Sequence, residues 1–163
     1  MREVLELDWW QSVPARRGLE LASVPVQHFS GRSLFDRNRT LWTGYVISSG
    51  AGNIFFAGDT GYGPHFSQIR QRLGPMRLAL LPIGAYRPEW FMGPVHMSPR
   101  EALAAHGDLE AQTSVGIHYG TFQLADDGQD EPREEIERRL AEWTGTKPRF
   151  WLLQNGEGRD VPV

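Results

Sequence analysis

The sequence predicts an α/β (α+β) fold in which one mixed sheet carries helices on one face. Short β-like runs separated by Pro, Gly and Ser occupy the first third of the chain. From about residue 53 onward, strand and helix patterns alternate. Strands followed by a β-α-β-α-β pattern are typical of a sheet whose helices lie on one side. The chain has 163 residues, a length that suits a single domain with a buried core.

The first part of the chain is predicted to contain four strands, because apolar residues recur there in short runs. The predicted strands are residues 4–10, 19–29, 41–48 and 53–58. The Gly-rich segment 50–53 predicts a hairpin connection between the third and the fourth strand.

The second part alternates helices with strands. The predicted helices are residues 66–73, a helix that begins at Ser98, and residues 131–143, and the predicted strands are 76–83, 113–119 and 149–153. The start at Ser98 is the clearest of these, because Ser98 is a good N-cap, Pro99 suits the first helical position, and Glu101 completes a capping box.

Composition excludes several classes of function. A net charge of −3 without a basic block gives no basis for nucleic-acid binding. The sequence has no Cys, so a metal would have to bind His, Asp or Glu. No apolar run approaches the roughly 20 residues of a membrane span, and the first residues do not resemble a signal peptide. We therefore expect a cytoplasmic protein. The composition is also compatible with peripheral contact with a membrane.

Three polar residues stand at the ends of predicted strands, each followed by small or turn-forming residues. They are His28, Asp59 and His118. Ligands bind outside the strand ends of open α/β sheets, and imidazole nitrogens and carboxylate oxygens are good zinc ligands. The alternative for each residue taken alone is structural, since such a His is often only hydrogen-bonded and an Asp before Thr-Gly often forms an Asx-turn.

His96 precedes the predicted N-terminus at Ser98. It is a candidate for proton transfer or substrate contact, and the alternative is a loop histidine that caps backbone groups. His65 follows Pro64, and we expect it to be exposed and to have no functional role.

The segment GAYRPEWFMG, residues 84–93, places three aromatic residues and an arginine close together after a buried strand. Tyr86, Arg87, Trp90 and Phe91 would suit the wall of a substrate pocket, with the arginine binding an anionic group. The alternative is a loop whose aromatic side chains cover the core. A second segment, residues 31–42, carries several arginines, and we favour a polar structural loop over a role in positioning metal ligands.

Five segments together resemble a known family. They are QHFSGRSLFDRNRTLWTGYVI, FFAGDTGYG, LLPIGAYRPEWFM, VHMSPREAL and IHYGTF. In this order they resemble the second half of a metallo-β-lactamase-fold hydrolase of the N-acylphosphatidylethanolamine-hydrolysing phospholipase D-like branch, from about residue 6 to about residue 143. The resemblance implies two zinc ions with a hydroxide between them.

The resemblance also implies a role for each site residue. His28 would bind the first zinc, Asp59 would bridge both, and His118 would bind the second, while His96 corresponds to a histidine of the pocket. Asp59 and His96 are therefore the implied catalytic residues. The implied reaction is hydrolysis of a phosphodiester in N-acylphosphatidylethanolamine-type phospholipids by metal-bound hydroxide.

The chain departs from the family at one decisive point. The family's His-x-His-x-Asp-His cluster lies in the first half of the fold, and this sequence contains no His-x-His. The family fold is an αββα sandwich of about twice this length, so residues 1–163 correspond to its C-terminal half. We expect a bare apolar sheet face that pairs with the missing N-terminal half or with a second copy.

Alone, the chain would bind at most one zinc ion, weakly, and would lack hydrolase activity. Two alternatives to the phospholipase assignment remain open at this point. One is a metallohydrolase of the same fold that acts on another small anionic substrate, such as a sugar-phosphate lactone. The other is a catalytically inactive remnant that serves as an interaction module.

Overall fold

The computed structural model describes residues 4–33 and 35–162. Seven strands form one mixed sheet whose spatial order follows the chain. They are β1 (Ser12–Pro14), β2 (Glu20–Val24), β3 (Gly44–Ser49), β4 (Gly52–Phe56), β5 (Met76–Pro82), β6 (Thr113–Ile117) and β7 (Phe150–Trp151). Strands β1 to β4 pair antiparallel, and β4 to β7 pair parallel. The α/β class and the mixed sheet are confirmed.

The four α-helices of the described residues lie between successive parallel strands. The α-helices are α1 (His65–Leu73), α2 (Glu89–Met92), α3 (Pro99–Asp108) and α4 (Glu131–Ala141), and a short 3₁₀ helix spans Arg16–Gly18. Because β4 to β7 are added in one direction, right-handed crossovers place α1, α3 and α4 on the same face of the sheet. Helix α3 contacts both α1 and α4, as this arrangement requires. Within the described ranges, no helix combines the length and the hydrophobicity needed to cross a membrane.

The capping box of α3 is confirmed. The backbone N–H of Glu101 donates to Ser98 Oγ at 3.4 Å, and the Ser98 N–H donates to the Glu101 carboxylate at 2.8 Å. These two bonds satisfy amide groups that a helix N-terminus otherwise leaves without partners. The helix therefore starts at a fixed residue, which also fixes the end of the preceding loop.

The strand prediction for residues 4–10 is wrong. The Asp8 carboxylate accepts the Trp9 N–H at 2.7 Å, and Trp10 has a φ of 70°, so a turn forms where a strand was expected. Side chains that bind neighbouring backbone groups compete in this way with strand pairing. The strand predicted for 19–29 ends at Val24, because Pro25 has no N–H to donate to a ladder. His28 consequently lies in a loop, four residues beyond the strand.

The two faces of the sheet differ sharply in burial. The helix side holds the core, which includes Phe55, Phe66, Ile69, Met76, Leu81, Ile83 and Ile136. On the other side, Tyr45 lies opposite Phe56 and Ile47 opposite Ile54, with exposed fractions of 36–45%. We call these four residues the open sheet face. An apolar face of this kind marks a contact surface in most soluble proteins.

His65 is buried, so the expectation that it is exposed is wrong. Its side chain retains 6% of its accessible surface, and Nε2 lies 3.2 Å from the hydroxyl of the buried Thr60. The ring also packs on Phe66, with 4.1 Å between centroids. Burial lowers the pKa of His65 to about 4, because the charged imidazolium would lose its hydration.

The buried imidazole predicts a loss of stability in mild acid. The unfolded chain takes up a proton at His65 near its ordinary pKa, and the folded chain does so only near pH 4. Stability is therefore complete above about pH 7 and falls as the pH decreases toward 4. Between pH 8 and pH 5 this group alone should lower the free energy of unfolding by about 2 kcal/mol. Urea denaturation of the wild type and His65→Gln at both pH values measures it, and an equal loss in the two proteins would contradict the assignment.

Candidate metal centre

The predicted site residues follow strands that run in the same direction. Strand β2 is antiparallel to β3, which is antiparallel to β4, and β4, β5 and β6 are mutually parallel. The carboxyl ends of β2, β4, β5 and β6 therefore meet at one edge of the sheet. His28, Asp59, His96 and His118 lie, in this order, in the loops that leave that edge.

Thr60 holds three of these loops together. It is fully buried next to the predicted carboxylate, and its hydroxyl accepts the backbone N–H of Gln27 at 2.8 Å. Its carbonyl accepts the N–H of Met97 at 3.0 Å. Because Gln27 precedes His28 and Met97 follows His96, the two bonds bring both histidines toward the same turn. No feature of the sequence indicates this role beyond the turn-forming Asp-Thr-Gly.

The four side chains form one cluster. His118 Nε2 lies 3.4 Å from Asp59 Oδ1. The His96 ring stacks on His118 with 5.3 Å between centroids, and it meets the His28 ring edge-on at 5.2 Å. The Nδ1 atoms of His96 and His118 are buried without a hydrogen-bond partner among the described residues. Buried polar atoms are usually satisfied, so both nitrogens mark a place where a further group belongs.

The backbone at His118 is strained. Its φ of 59° lies in the left-handed region, which costs a residue with a side chain roughly 1 kcal/mol or more. A Cβ on Gly84 would lie only 2.2 Å from the His118 carbonyl oxygen. The missing side chain of Gly84 thus allows the two loops to approach, and the turn that aims His118 at Asp59 depends on it.

His96 is neutral at neutral pH. Burial, the largest cause, and the neighbouring His118 imidazole together lower its pKa to about 4, whereas Asp59 opposes the shift. A neutral imidazole is the form that binds a metal or accepts a proton. His28 is oriented by its neighbour, since its Nδ1 lies 3.0 Å from the Phe29 carbonyl oxygen and its ring stacks on Phe29.

The side chains of the cluster have the donor atoms that bind zinc, but their arrangement does not form a complete metal site. Over residues 4–33 and 35–162, no three His, Asp or Glu side chains are arranged to hold a metal ion. The cluster nevertheless contains only the donor types that zinc prefers, and two of its nitrogens lack partners. These residues therefore suit part of a larger ligand set, and the individual ligand roles of His28, Asp59 and His118 stay predictions.

Tyr86 and Arg87, predicted to bind substrate, both contact the carboxylate of Glu131. Tyr86 is 1% exposed and its hydroxyl donates to Glu131 Oε1 at 2.9 Å, while the Arg87 guanidinium forms an ion pair with the same carboxylate. The buried Asp127 accepts the backbone N–H of Ala85 at 3.0 Å. Sequence reasoning missed both carboxylates. Their contacts indicate that this segment shapes the loop, and direct contact of Tyr86 and Arg87 with substrate remains a prediction.

Trp90 and Phe91 lie on the short helix α2 and project into solvent. Their exposed fractions are 82% and 64%, and the two rings contact each other edge-on at 5.6 Å. Neither side chain covers the core, which excludes the structural alternative for this pair. Their role toward a substrate stays a prediction.

Comparisons with known proteins agree with this arrangement. The family described as "Beta-lactamase superfamily domain" matches residues 1–119. The yeast (Saccharomyces cerevisiae) mitochondrial N-acyl-phosphatidylethanolamine-hydrolyzing phospholipase D is 42% identical over 160 residues, which cover 94% of this chain and 34% of the yeast protein. N-acyl-phosphatidylethanolamine-hydrolyzing phospholipase D 1 of Caenorhabditis elegans is 37% identical over 142 residues, covering 84% of this chain and 40% of the nematode protein.

Among solved structures, Igni18, a metallo hydrolase of the archaeon Ignicoccus hospitalis, superposes with a TM-score of 0.66 at 24% identity, covering 94% of this chain and 58% of Igni18. That likeness shows the fold. The chain spans only 34–40% of the length of the yeast and nematode relatives. Because the family match extends over more than half of its residues, the chain belongs to the beta-lactamase superfamily domain family.

Proposed function

We propose that the chain is the C-terminal half of a zinc-dependent hydrolase that cleaves a phosphodiester bond of N-acylphosphatidylethanolamine-type phospholipids. The observation that carries the proposal is the cluster of His28, Asp59, His96 and His118 at one edge of the sheet. The substrate class is supported by the printed activity of the yeast and nematode relatives. Three loops of this edge carry exposed aromatic residues, which supports a site that works at a membrane surface.

Each residue of the cluster has a proposed role. His28 and His118 would hold one zinc ion each, and Asp59 would hold both. When bound, the two ions would supply a Lewis acid and a nucleophilic hydroxide at neutral pH. His96 remains neutral in its buried position and would accept a proton or donate a hydrogen bond to a phosphoryl oxygen. The hydrogen bond from the Gln27 N–H to the Thr60 hydroxyl would keep the loops of His28 and Asp59 at a fixed separation.

The open sheet face supports the proposal that a further half is needed. Tyr45, Ile47, Ile54 and Phe56 are exposed in a flat, regular row, and the relatives are more than twice as long as this chain. A second sheet packed on this row would bury it and would supply the remaining metal ligands. We propose the missing N-terminal half, rather than a second copy of the chain, because the described residues alone offer no group arranged to hold a metal ion and the proposed site would need further ligands.

Reconstitution tests the function. We expect the 163-residue chain alone to bind zinc weakly and to show no hydrolysis of N-acylphosphatidylethanolamine. Joined to the segment that precedes the matched region in the yeast relative, it should bind zinc tightly and hydrolyse the lipid at least about 10³-fold faster than the chain alone. Calorimetric zinc titration and product release measure the two steps.

Zinc binding and lipid hydrolysis are tested separately. A stoichiometric, submicromolar zinc site in the isolated chain that disappears in Asp59→Ala would contradict the half site. A zinc-loaded assembly that leaves the phosphodiester intact, including a soluble short-chain analogue, would contradict the proposed substrate class.

A further inference from the structure

The most exposed large apolar side chains of the sheet edge lie on three loops beside the cluster. Each of the five is more than 60% exposed. They are Phe35 (89%), Trp90 (82%), Phe122 (77%), Phe91 (64%) and Leu124 (64%). We call these five residues the apolar rim. The loop after β2 carries Phe35, the loop after β5 carries the Trp90–Phe91 pair, and the loop after β6 carries Phe122 and Leu124.

The rim differs from an ordinary surface and from the open sheet face. Isolated exposed apolar residues need no explanation, but five on neighbouring loops indicate a contact surface. The open sheet face is flat, is only 36–45% exposed and suits another sheet. The rim residues instead lie on irregular loops and on the short helix α2. Trp and Phe on protruding loops fit the interfacial region of a bilayer, where the ring is buried and the backbone stays near water.

The rim is continuous with the candidate metal centre. A small cavity of about 130 Å³ is lined by Phe122, Leu124, Thr121, Tyr119 and His118. Its wall therefore contains one predicted metal ligand and two rim residues. An apolar group that enters this cavity from the rim would therefore contact His118.

The loop around Phe35 adds positive charge. Arg32, Arg37 and Arg39 form no ion pair with any residue in the described part of the chain. The one carboxylate of this loop, Asp36, accepts the backbone N–H groups of Arg32 and Ser33 at 3.0 and 2.7 Å. The other acidic residues of the edge lie in the loops after β4, β5 and β6, among them Asp59, Glu89 and Asp127. Charge at the Phe35 end thus complements an anionic surface.

One contact connects this basic loop to the site. The Arg37 guanidinium lies over the Phe29 ring, 4.6 Å from its centroid, and Phe29 stacks on His28 with 4.5 Å between centroids. A surface bound by the loop would therefore lie one aromatic ring away from a predicted metal ligand.

We propose that the apolar rim inserts into the headgroup region of a phospholipid bilayer and holds the site at the membrane surface, with the arginines of the Phe35 loop facing anionic headgroups. The proposal rests on the proposed phospholipid substrate and adds the surface that delivers it. Apolar burial supplies the larger part of the attraction, and the arginines add a part that depends on salt and on anionic lipid.

Vesicle flotation with the 163-residue chain tests the rim. The vesicles are phosphatidylcholine alone or phosphatidylcholine with a third of phosphatidylglycerol. Combining Trp90→Ala with Phe122→Ala should lower partitioning into both by about tenfold or more, because two large aromatic side chains no longer insert. Arg37→Gln with Arg39→Gln should lower partitioning several-fold, and only into the anionic vesicles.

The matched control removes aromatic surface of the same kind from the open sheet face. Tyr45→Ala with Phe56→Ala should leave partitioning within about twofold of the wild type, since that face does not contact lipid. The proposal is overturned if the rim variants float like the wild type, if the control loses as much as the rim variant, or if joining the N-terminal segment abolishes flotation. Turnover of a soluble short-chain phosphodiester reports the proposed function separately from all three outcomes.

Discussion

Replacing Asp59 by asparagine in the reconstituted enzyme is expected to lower turnover by about 10³-fold or more. The substitution keeps the size of the side chain and removes its negative charge. Asp59 is the only carboxylate of the described cluster, and His118 Nε2 lies 3.4 Å from its Oδ1. In the proposed site Asp59 would neutralise charge on both metal ions and would be a ligand that they share, so its loss would weaken the binding of both.

Zinc content and circular dichroism test this prediction, and Asp160→Asn is the matched control. Zinc content by mass spectrometry should fall together with turnover, whereas circular dichroism should be unchanged, because Asn suits the same turn. Asp160→Asn changes an exposed carboxylate far along the chain and should retain wild-type values of both. If Asp59→Asn kept turnover and zinc within tenfold of the wild type, Asp59 would be an ordinary turn residue.

Helices and strands were predicted best where the spacing of apolar residues in a segment matches the residues that are buried. The alternating segments from β4 to α4 are each built around residues whose spacing matches their element, such as Ile69 in α1 and Ile136 in α4. At residues 4–10 the apolar pattern predicted a strand, but the Asp8 carboxylate accepts a hydrogen bond from the Trp9 N–H and a turn forms instead. A single side chain that binds its own backbone outweighs hydrophobic periodicity over a few residues.

Sequence reasoning named the residues of the candidate site but not the contacts that support them. The predicted strand ends pointed to His28, Asp59 and His118, and the fold places all three in loops at one edge, although the strand before His28 ends at Val24. The partners of Tyr86 and Arg87 could not be predicted, because the carboxylate of Glu131 that binds both lies more than 40 residues away. Long-range pairs of this kind follow from the topology of the whole chain. The local sequence around Arg87 is equally consistent with a substrate-binding arginine and with an arginine that stabilises a loop.

Replacing Gly84 by alanine is expected to lower the free energy of unfolding by about 3 kcal/mol, the upper end of the usual cost of overpacking. The new Cβ would lie 2.2 Å from the His118 carbonyl oxygen and 3.4 Å from the Tyr119 Cα. Both are backbone atoms, so no side chain can rotate away to make room. The end of β6 has to move instead, and His118 moves with it, so zinc affinity of the reconstituted enzyme should fall as well.

Gly107→Ala is the matched control, since the chemical change is identical and only the surroundings differ. Gly107 lies in α3, is exposed, and a Cβ there would meet no atom within 4 Å. In a helix this change should raise stability by about 0.5–1 kcal/mol. Urea denaturation should therefore shift the two variants in opposite directions from the wild type. If Gly84→Ala were as stable as the wild type, the loops after β5 and β6 would lie further apart than described, and the strained turn at His118 would not depend on their contact.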